Sequence, residues 1–327
     1  MHGTPLLSIV TPTRGSFSEY WFDQLCAVAG DVEFILVYPP ATRAKPINDP
    51  RFKSITSPFK GEVFQRLIGL LNASGTYVLA LDDDDYIHPQ VSQLVHTYFS
   101  RFPESWCLRL HMRKIDFRAT KDIQKEWDAI PDIEQMQVAA RRKSNEAILQ
   151  QVPIAPLGNR FDLRFLLGPY VKRKDMHGAH IENFNNKVWK TELVQPALAD
   201  ITSTMKLVHS LTWIPLWNLD RMLGLFIQAK FFERERIVGH WMPAPEQIRY
   251  ISMDQSNKNE FRLMLPADAL LAKKFPQYGY FWNLCFEQFW VAVKKLLKKI
   301  VTESMSLLQI CPHPPPPSPN LGEGELD

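Results

Sequence analysis

The sequence of 327 residues predicts an α/β fold in which helices cover both faces of a mostly parallel sheet. Three short apolar runs, at residues 6–10, 33–37 and 76–81, predict buried strands. Residues 18–29 and 60–73 lie between them and place their apolar side chains at helical spacing. Strands that alternate with helices favour parallel pairing, and runs without polar alternation are typical of strands covered on both faces.

The composition excludes several classes of protein. The chain carries 38 basic and 35 acidic residues, a formal net charge of +3, so it has no strong basic field for a nucleic-acid partner. The four cysteines are too few for a disulfide framework and do not have metal-ligand spacing. The first ten residues make a poor signal peptide, and no long apolar run predicts a membrane span. These features predict a cytoplasmic protein.

An acidic run, Asp82 to Asp85, directly follows the third predicted strand. Residues 12–15 follow the first predicted strand, and ligands of parallel sheets bind at the carboxyl ends of strands. Four adjacent carboxylates repel one another, and a divalent cation with oxygen ligands, Mg²⁺ or Mn²⁺, relieves that repulsion. The run therefore predicts a metal site. The alternative is a solvated acidic turn that caps the next helix.

The segments LSIVTPTRG, EFILV and FQRLIGLLNASGTYVLALDDDDYIHP carry a resemblance to a known family. In this order they resemble the nucleotide-sugar half of family 2 glycosyltransferases, which have the GT-A fold. The resemblance covers residues 6–95 and extends more loosely to residue 250. The residues at the family's motif positions are Arg66, Gly69, Ala73, Ser74, Gly75, Tyr77, Asp82, Asp84, Asp85 and Pro89.

The resemblance implies a division of the chain into three parts. A GT-A domain would occupy residues 1–250, with the nucleotide-sugar half at about 1–118 and the acceptor half at about 119–250. A helical C-terminal extension would follow at 251–311. Residues 312–327, rich in proline and poor in large apolar side chains, predict a disordered tail. Within the acceptor half, the polar stretch 119–151 predicts helix.

The resemblance also implies roles for residues that bind the donor. Thr11, Pro12 and Arg14 would shape the nucleoside pocket, and Arg66 would face the nucleotide. The family usually has an aspartate after its second strand, but this chain has Tyr38, Pro39 and Pro40 there. We therefore expect different contacts to the nucleobase.

The metal ligands follow from the same resemblance. Asp82 would contact the ribose or the hydrated metal, and Asp84 would ligate a Mn²⁺ or Mg²⁺ ion that lies beside the diphosphate. This interpretation agrees with the chemistry, because a cation neutralises a diphosphate leaving group.

An inverting transferase needs a general base for the acceptor hydroxyl. The family takes it from an acidic pair at the start of a later helix, and Asp220 in WNLDRMLGLFI is the best match. A helix cap is the alternative role for Asp220. Glu182 and Glu192 are the next candidates for the base. His240 lies where some members of the family have a histidine near the metal, but a core or surface role is the favoured interpretation. Arg249 lies in a segment that faintly resembles a family motif, and a phosphate contact is the less favoured of its roles.

These observations predict a metal-dependent glycosyltransferase. It would move a sugar from a nucleotide-diphosphate donor to a hydroxyl of an unidentified glycan, lipid or protein acceptor, with inversion. Two alternatives stay open: a nucleotidyltransferase, which shares the sheet and the acidic site, and a non-catalytic nucleotide-sugar-binding or scaffold protein.

Residues 286–301, from Phe286 to Val301, predict an amphipathic helix. At 100° per residue the apolar side chains fall within about 140°, and Lys294, Lys295, Lys298 and Lys299 fall outside that arc. The favoured interpretation is that the stripe packs on the catalytic domain. The alternative is peripheral contact with an anionic membrane.

Overall fold

The computed structural model of the chain describes residues 3–141, 147–168, 170–176, 178–206, 216–252 and 264–309. The tail predicted to be disordered, residues 312–327, lies outside these ranges.

In the first hundred residues one or two strands precede each helix, and the order becomes less regular later. The strands are β1 (Leu7–Pro12), β2 (Val32–Tyr38), β3 (Phe52–Thr56), β4 (Tyr77–Ala80), β5 (Tyr86–Ile87), β6 (Cys107–Arg109), β7 (Met112–Asp116), β8 (Gln137–Ala139), β9 (Ile148–Pro153), β10 (Lys187–Lys190), β11 (Ile237–Trp241) and β12 (Ile248–Ser252). The helices are α1 (Glu19–Cys26), α2 (Glu62–Leu71), α3 (Val91–Arg101), α4 (Thr120–Ile123), α5 (Thr191–Lys206), α6 (Leu216–Lys230), α7 (Leu265–Lys274) and α8 (Gly279–Gln309). Within the described residues, no helix combines the length and the apolar character needed to cross a membrane.

The larger sheet has the strand order β3-β2-β1-β4-β10-β6-β11-β9-β8. β1 pairs in parallel with β2 and β4, and β2 pairs in parallel with β3. β10 is antiparallel to both of its neighbours. A smaller sheet, β5-β12-β7, lies beside the larger one. The predicted mostly parallel sheet is thus confirmed, although β3 and the smaller sheet were not anticipated.

The prediction of helix for residues 119–151 is wrong. The described part of that stretch contains only the short α4, a 3₁₀ turn at Ile133–Gln135, and the strands β8 and β9. β9 pairs with β11, so its conformation is set by a long-range partner rather than by local polarity.

Helices cover the sheet on both faces. Successive side chains of β1 point to opposite sides, so Ile9 packs in the cluster that contains Trp21 of α1, while Val10 packs in the cluster that contains Leu70 of α2. This double coverage explains why the central strands are continuously apolar. Tyr280, Phe281 and Leu284 of α8 join the same cluster as Val10, so the C-terminal helices begin inside the main core.

Helix α6 approaches the segment before β10 very closely, and Gly224 makes that approach feasible. A Cβ atom at Gly224 would lie 2.6 Å from the carbonyl oxygen of Glu182 and 2.9 Å from the amide nitrogen of Phe184. Because these contacts are with backbone, they cannot be relieved by a rotamer change. Gly224 lies one turn after Asp220, so this packing sets the position of that carboxylate.

We predict that Gly224→Ala lowers the free energy of unfolding by about 2 kcal/mol, the scale of an overpacked core. Helix propensity alone would give the opposite sign, since alanine is favoured over glycine by about 1 kcal/mol. Urea unfolding measures the difference. The matched control is Gly158→Ala, where the nearest contact of the new Cβ is 3.8 Å away. A variant at Gly224 that is more stable than wild type would contradict the packing argument.

Candidate active site

A cleft of about 790 Å³ opens at the carboxyl ends of β1, β2 and β4, beside the amino end of α2. This edge of the sheet is where parallel α/β folds bind their ligands. The cleft is lined by Pro12, Thr13, Arg14, Ser16, Pro39, Pro40, Lys60, Gly61, Glu62, Gln65, Asp82, Asp83 and Asp84. Cationic and acidic side chains therefore share one concave surface.

The loop after β1 is held by hydrogen bonds to its neighbours. The Thr13 hydroxyl donates to Oδ2 of Asp83 at 2.7 Å and accepts from the Gly15 amide at 2.9 Å. The Gln65 side chain donates to the carbonyl oxygens of Thr13, at 3.1 Å, and of Val37. Since Gln65 belongs to α2 and Val37 to β2, one buried amide joins three elements that surround the cleft.

Three of the four consecutive aspartates converge. Asp82, Asp84 and Asp85 each offer a carboxylate oxygen, and these oxygens lie within 4.8 Å of one another. Asp83 is turned away and binds Thr13 instead. Burial and the Asp82 and Asp83 carboxylates raise the pKa of Asp84 to about 6. Clustered carboxylate oxygens are the donors that Mg²⁺ and Mn²⁺ prefer, so the cluster fits such an ion.

Asp85 is more deeply placed than the other two members of the cluster. Its Oδ1 accepts from the Ile251 amide at 3.0 Å, and its carbonyl oxygen accepts from the Trp21 indole at 2.8 Å. Burial, with Asp82 close by, raises the pKa of Asp85 to about 8. Asp85 thereby anchors the acidic run to β12 and α1, while Asp82 and Asp84 face the cleft.

Arg66 of α2 lies behind the acidic cluster. Its side chain is only 3% exposed and forms an ion pair with Asp82. Glu62 lies 3.9 Å away. Two of its nitrogens, Nε and Nη1, make no hydrogen bond within the part of the chain that the structure describes. The arginine therefore serves as a buried positive charge that offsets the carboxylates, and it does not line the cleft itself.

A smaller cavity of about 200 Å³ lies next to Asp220. Oδ1 of Asp220 accepts from the Asn185 amide at 2.6 Å, and the Asp220 carbonyl accepts from the Phe184 amide at 3.0 Å. Burial raises the pKa of Asp220, and the Lys187 ammonium opposes that rise. The cavity is lined by Arg109, Leu110, His111, Met112, Asn183, Asn185, Asn186, Lys187, Asp220 and Trp241.

The two cavities are electrostatically connected. Arg66, which pairs with Asp82 in the first, also lies close enough to Asp220 for its charge to lower the pKa of that carboxylate. Lys187 in the second cavity is buried, and burial lowers its pKa to about 8. Asp220 is thus a half-buried carboxylate on the wall of a polar cavity that also contains Lys187.

The other candidates for the base occupy different environments. Glu182 contacts Arg173 at 3.1 Å and Arg221 at 3.3 Å. Burial alone would raise its pKa, but His180 and the two arginines lower it, so this carboxylate is a poor proton acceptor. Glu192 lies on α5 with 73% of its side chain exposed.

His240 and Arg249 are buried in structural roles. The Nδ1 atom of His240 lies 2.9 Å from the Tyr98 hydroxyl, and burial lowers the pKa of this histidine to about 4. Arg249 donates to the carbonyl oxygens of Ile123 and Lys125 at 2.9 and 2.6 Å. Neither residue lines the cleft, and the phosphate contact suggested for Arg249 has no place in this arrangement.

The predicted donor-site residues are only partly brought together. Pro12, Arg14, Asp82 and Asp84 line the cleft. Thr11 is fully buried in β1, and Thr13, two residues later, lines the cleft instead. Lys60 and Gln65, which no motif in the sequence indicates, also line the cleft. Their position near the start of the predicted helix 60–73 indicates that they border the cleft, because the amino ends of helices lie at the ligand-binding edge of such sheets.

Comparisons with known proteins give one informative result. No protein-family model matches the chain, and no curated protein matches its sequence. The structure is similar to that of S. aureus TarS 1-349 in complex with UDP-GlcNAc, with a TM-score of 0.50 and 12% identity over 82% of this chain and 66% of that chain. For the structure of the same protein in complex with UDP, the TM-score is 0.42 and the identity is 14%, over 82% of this chain and 70% of that chain.

The likeness to TarS shows the fold. This chain has an α/β fold of the GT-A type, in a divergent sequence, with α7 and α8 as its helical C-terminal region. The chain spans just under two thirds of the TarS chain in the first of these structures.

We predict that Asp84→Asn weakens the binding of Mn²⁺ by at least about tenfold, because it removes a charged oxygen ligand from the cluster. Titration of free Mn²⁺, followed by its electron paramagnetic resonance signal, measures the affinity. Asp83→Asn is the matched control, since Asp83 belongs to the same run but binds Thr13. Equal affinities of the wild type and the Asp84 variant would exclude Asp84 as a ligand.

Proposed function

We propose that this protein is a glycosyltransferase that takes a sugar from a nucleotide-diphosphate donor and transfers it to an acceptor hydroxyl with inversion. The observation that carries the proposal is the convergence of Asp82, Asp84 and Asp85 on a cleft that also contains Arg14 and Lys60. Such a cleft offers both a place for a divalent cation and basic side chains for a diphosphate. The cleft lies at the carboxyl ends of the parallel strands, the edge where such sheets bind ligands.

The donor is held from two sides in this proposal. Pro12, Arg14, Pro39 and Pro40 form the walls at the ends of β1 and β2, where the nucleoside would lie. Pro39 and Pro40 offer apolar contact and no side-chain hydrogen bonds, so base recognition would depend on the backbone and on shape. Lys60, two residues before α2, would contribute positive charge to the diphosphate.

Asp82 and Asp84 would hold a Mn²⁺ or Mg²⁺ ion, which when bound would supply positive charge beside the diphosphate leaving group. Arg66 fixes the orientation of Asp82 from behind, and Asp85 is tied to Ile251. The Asp82 carboxylate and the buried end of the acidic run are therefore positioned before any ligand binds.

Asp220 is the proposed general base. One of its oxygens is occupied by the Asn185 amide, which leaves the other free to accept a proton from a hydroxyl in the adjacent cavity. A buried site raises the pKa of a carboxyl group, and a base works best when its pKa approaches the working pH. The low pKa of Glu182 and the exposure of Glu192 make both weaker candidates.

A ligand screen tests the proposed function. Nucleoside diphosphates and their sugars should raise the melting temperature of the protein in the presence of Mn²⁺, because ligands that bind the native state stabilise it. Release of nucleoside diphosphate from the stabilising donor then shows turnover. Stabilisation without turnover would favour a binding or scaffold protein, and pyrophosphate release from a nucleoside triphosphate with a sugar phosphate would favour a nucleotidyltransferase.

We predict that Asp220→Asn lowers kcat for transfer by about 10²-fold or more, the usual scale for loss of a general base, while donor binding stays unchanged. Initial rates and the Kd of the donor separate the two effects. Glu192→Gln is the control, since it removes an exposed carboxylate from the neighbouring helix α5. Near-normal transfer by the Asp220 variant would assign the base to another residue.

A further inference from the structure

The distal half of α8 presents a stripe of large apolar side chains to solvent. Leu296, Leu297, Ile300 and Val301 are 60%, 55%, 50% and 57% exposed. The helix begins in the core at Phe281 and Leu284, but it leaves the body of the molecule after residue 293. The favoured prediction, that the whole stripe of 286–301 packs on the catalytic domain, is therefore wrong for this half of the helix.

A second element extends the exposed apolar surface. The 3₁₀ turn Leu163–Leu167 exposes Leu163, Leu166 and Leu167 at 69%, 62% and 84%, and Tyr170 is 87% exposed. This element adjoins α8, because the Trp290 indole donates to the Phe165 carbonyl oxygen at 2.8 Å. The Lys294 ammonium lies 4.8 Å from the centre of the Tyr170 ring. We call the exposed residues of the turn, Tyr170 and the distal α8 stripe the apolar face.

Basic side chains border the apolar face. Lys294, Lys295, Lys298 and Lys299 are all exposed on α8, and Lys172 and Lys174 are exposed in the adjoining segment. Glu287, an acid on the same helix, contacts Arg173 at 3.0 Å. The surface thus combines aliphatic and aromatic side chains with an excess of lysine, the composition of a helix that lies on an anionic lipid surface.

We propose that the apolar face is a docking surface for an anionic lipid bilayer. Leucine, isoleucine and valine side chains would enter the interface, while the lysines would reach the phosphate groups beside it. A second copy of the chain fits less well. In a symmetric contact, the same patch meets itself, so the lysine-rich α8 segments of the two copies would lie near one another and repel.

Co-sedimentation with vesicles tests the proposal on the full chain. We expect the protein to sediment with vesicles that contain phosphatidylglycerol, and to remain in solution with phosphatidylcholine alone. High salt should weaken the association, because the lysine contribution is screened. Changing Lys294, Lys295, Lys298 and Lys299 to Gln should lower the partition coefficient by at least about a hundredfold.

Two further variants separate the surface from general charge and folding effects. Leu296→Ser with Leu297→Ser should also release the protein while the melting temperature stays within a few degrees, since both side chains are already exposed. The charge-matched control changes four exposed lysines outside α8 to Gln: Lys53, Lys114, Lys121 and Lys125. This variant should bind vesicles as the wild type does.

Three results would overturn the proposal. In the first, the wild type does not sediment with anionic vesicles. In the second, the charge-matched control loses as much binding as the four-lysine variant. In the third, both the four-lysine and the two-leucine variants still bind. A wild type that fails to bind but forms dimers through Leu296 and Leu297 would assign the face to a second copy. A chain that binds only after deletion of residues 310–327 would assign it to the chain's own tail.

Discussion

The negative charge of Asp82 to Asp85 is the constraint on which this structure depends. The strand β4 delivers four carboxylates to one edge of the sheet, and three of them are held by different partners. Asp82 pairs with buried Arg66, Asp83 accepts from Thr13, and Asp85 accepts from the Ile251 amide. The carboxylates of Asp82, Asp84 and Asp85 converge, and they form the only cluster of this kind among the described residues. Asp82 and Asp84 also line the cleft.

The position of Asp220 depends on a second network, which the C-terminal helices complete. Arg221 follows Asp220 on α6 and contacts Asp268 of α7 at 2.9 Å and Glu182 at 3.3 Å. Arg173 contacts Glu182 and also Glu287 of α8, at 3.0 Å. Removing one partner of a buried ion pair lowers the free energy of unfolding by about 3–5 kcal/mol. These contacts therefore hold α6 against the 182–185 segment. The helical C-terminal region therefore supports the proposed base from behind.

The sequence was most informative where local pattern and tertiary role agree. The runs that became β1, β2 and β4, the helix α2 and the acidic loop could all be predicted, because buried parallel strands are apolar throughout and ligands bind at their ends. The prediction of helix for 119–151 failed because the strands in this stretch are defined by distant partners, as β9 is by β11. The inward turn of Asp85, the burial of Thr11 and the exposure of distal α8 depend on three-dimensional packing, and no spacing in the sequence records them.

A crystal of the protein grown with Mn²⁺ and a nucleoside diphosphate would show whether the acidic cleft is the donor site. Anomalous scattering at the manganese edge locates the ion without assumptions about the ligand. We expect a manganese peak bound by Asp82 and Asp84, with the diphosphate beside it and the nucleoside toward Pro39 and Pro40. A diphosphate bound elsewhere, or a cleft that takes up the nucleotide with no manganese at these two carboxylates, would contradict it.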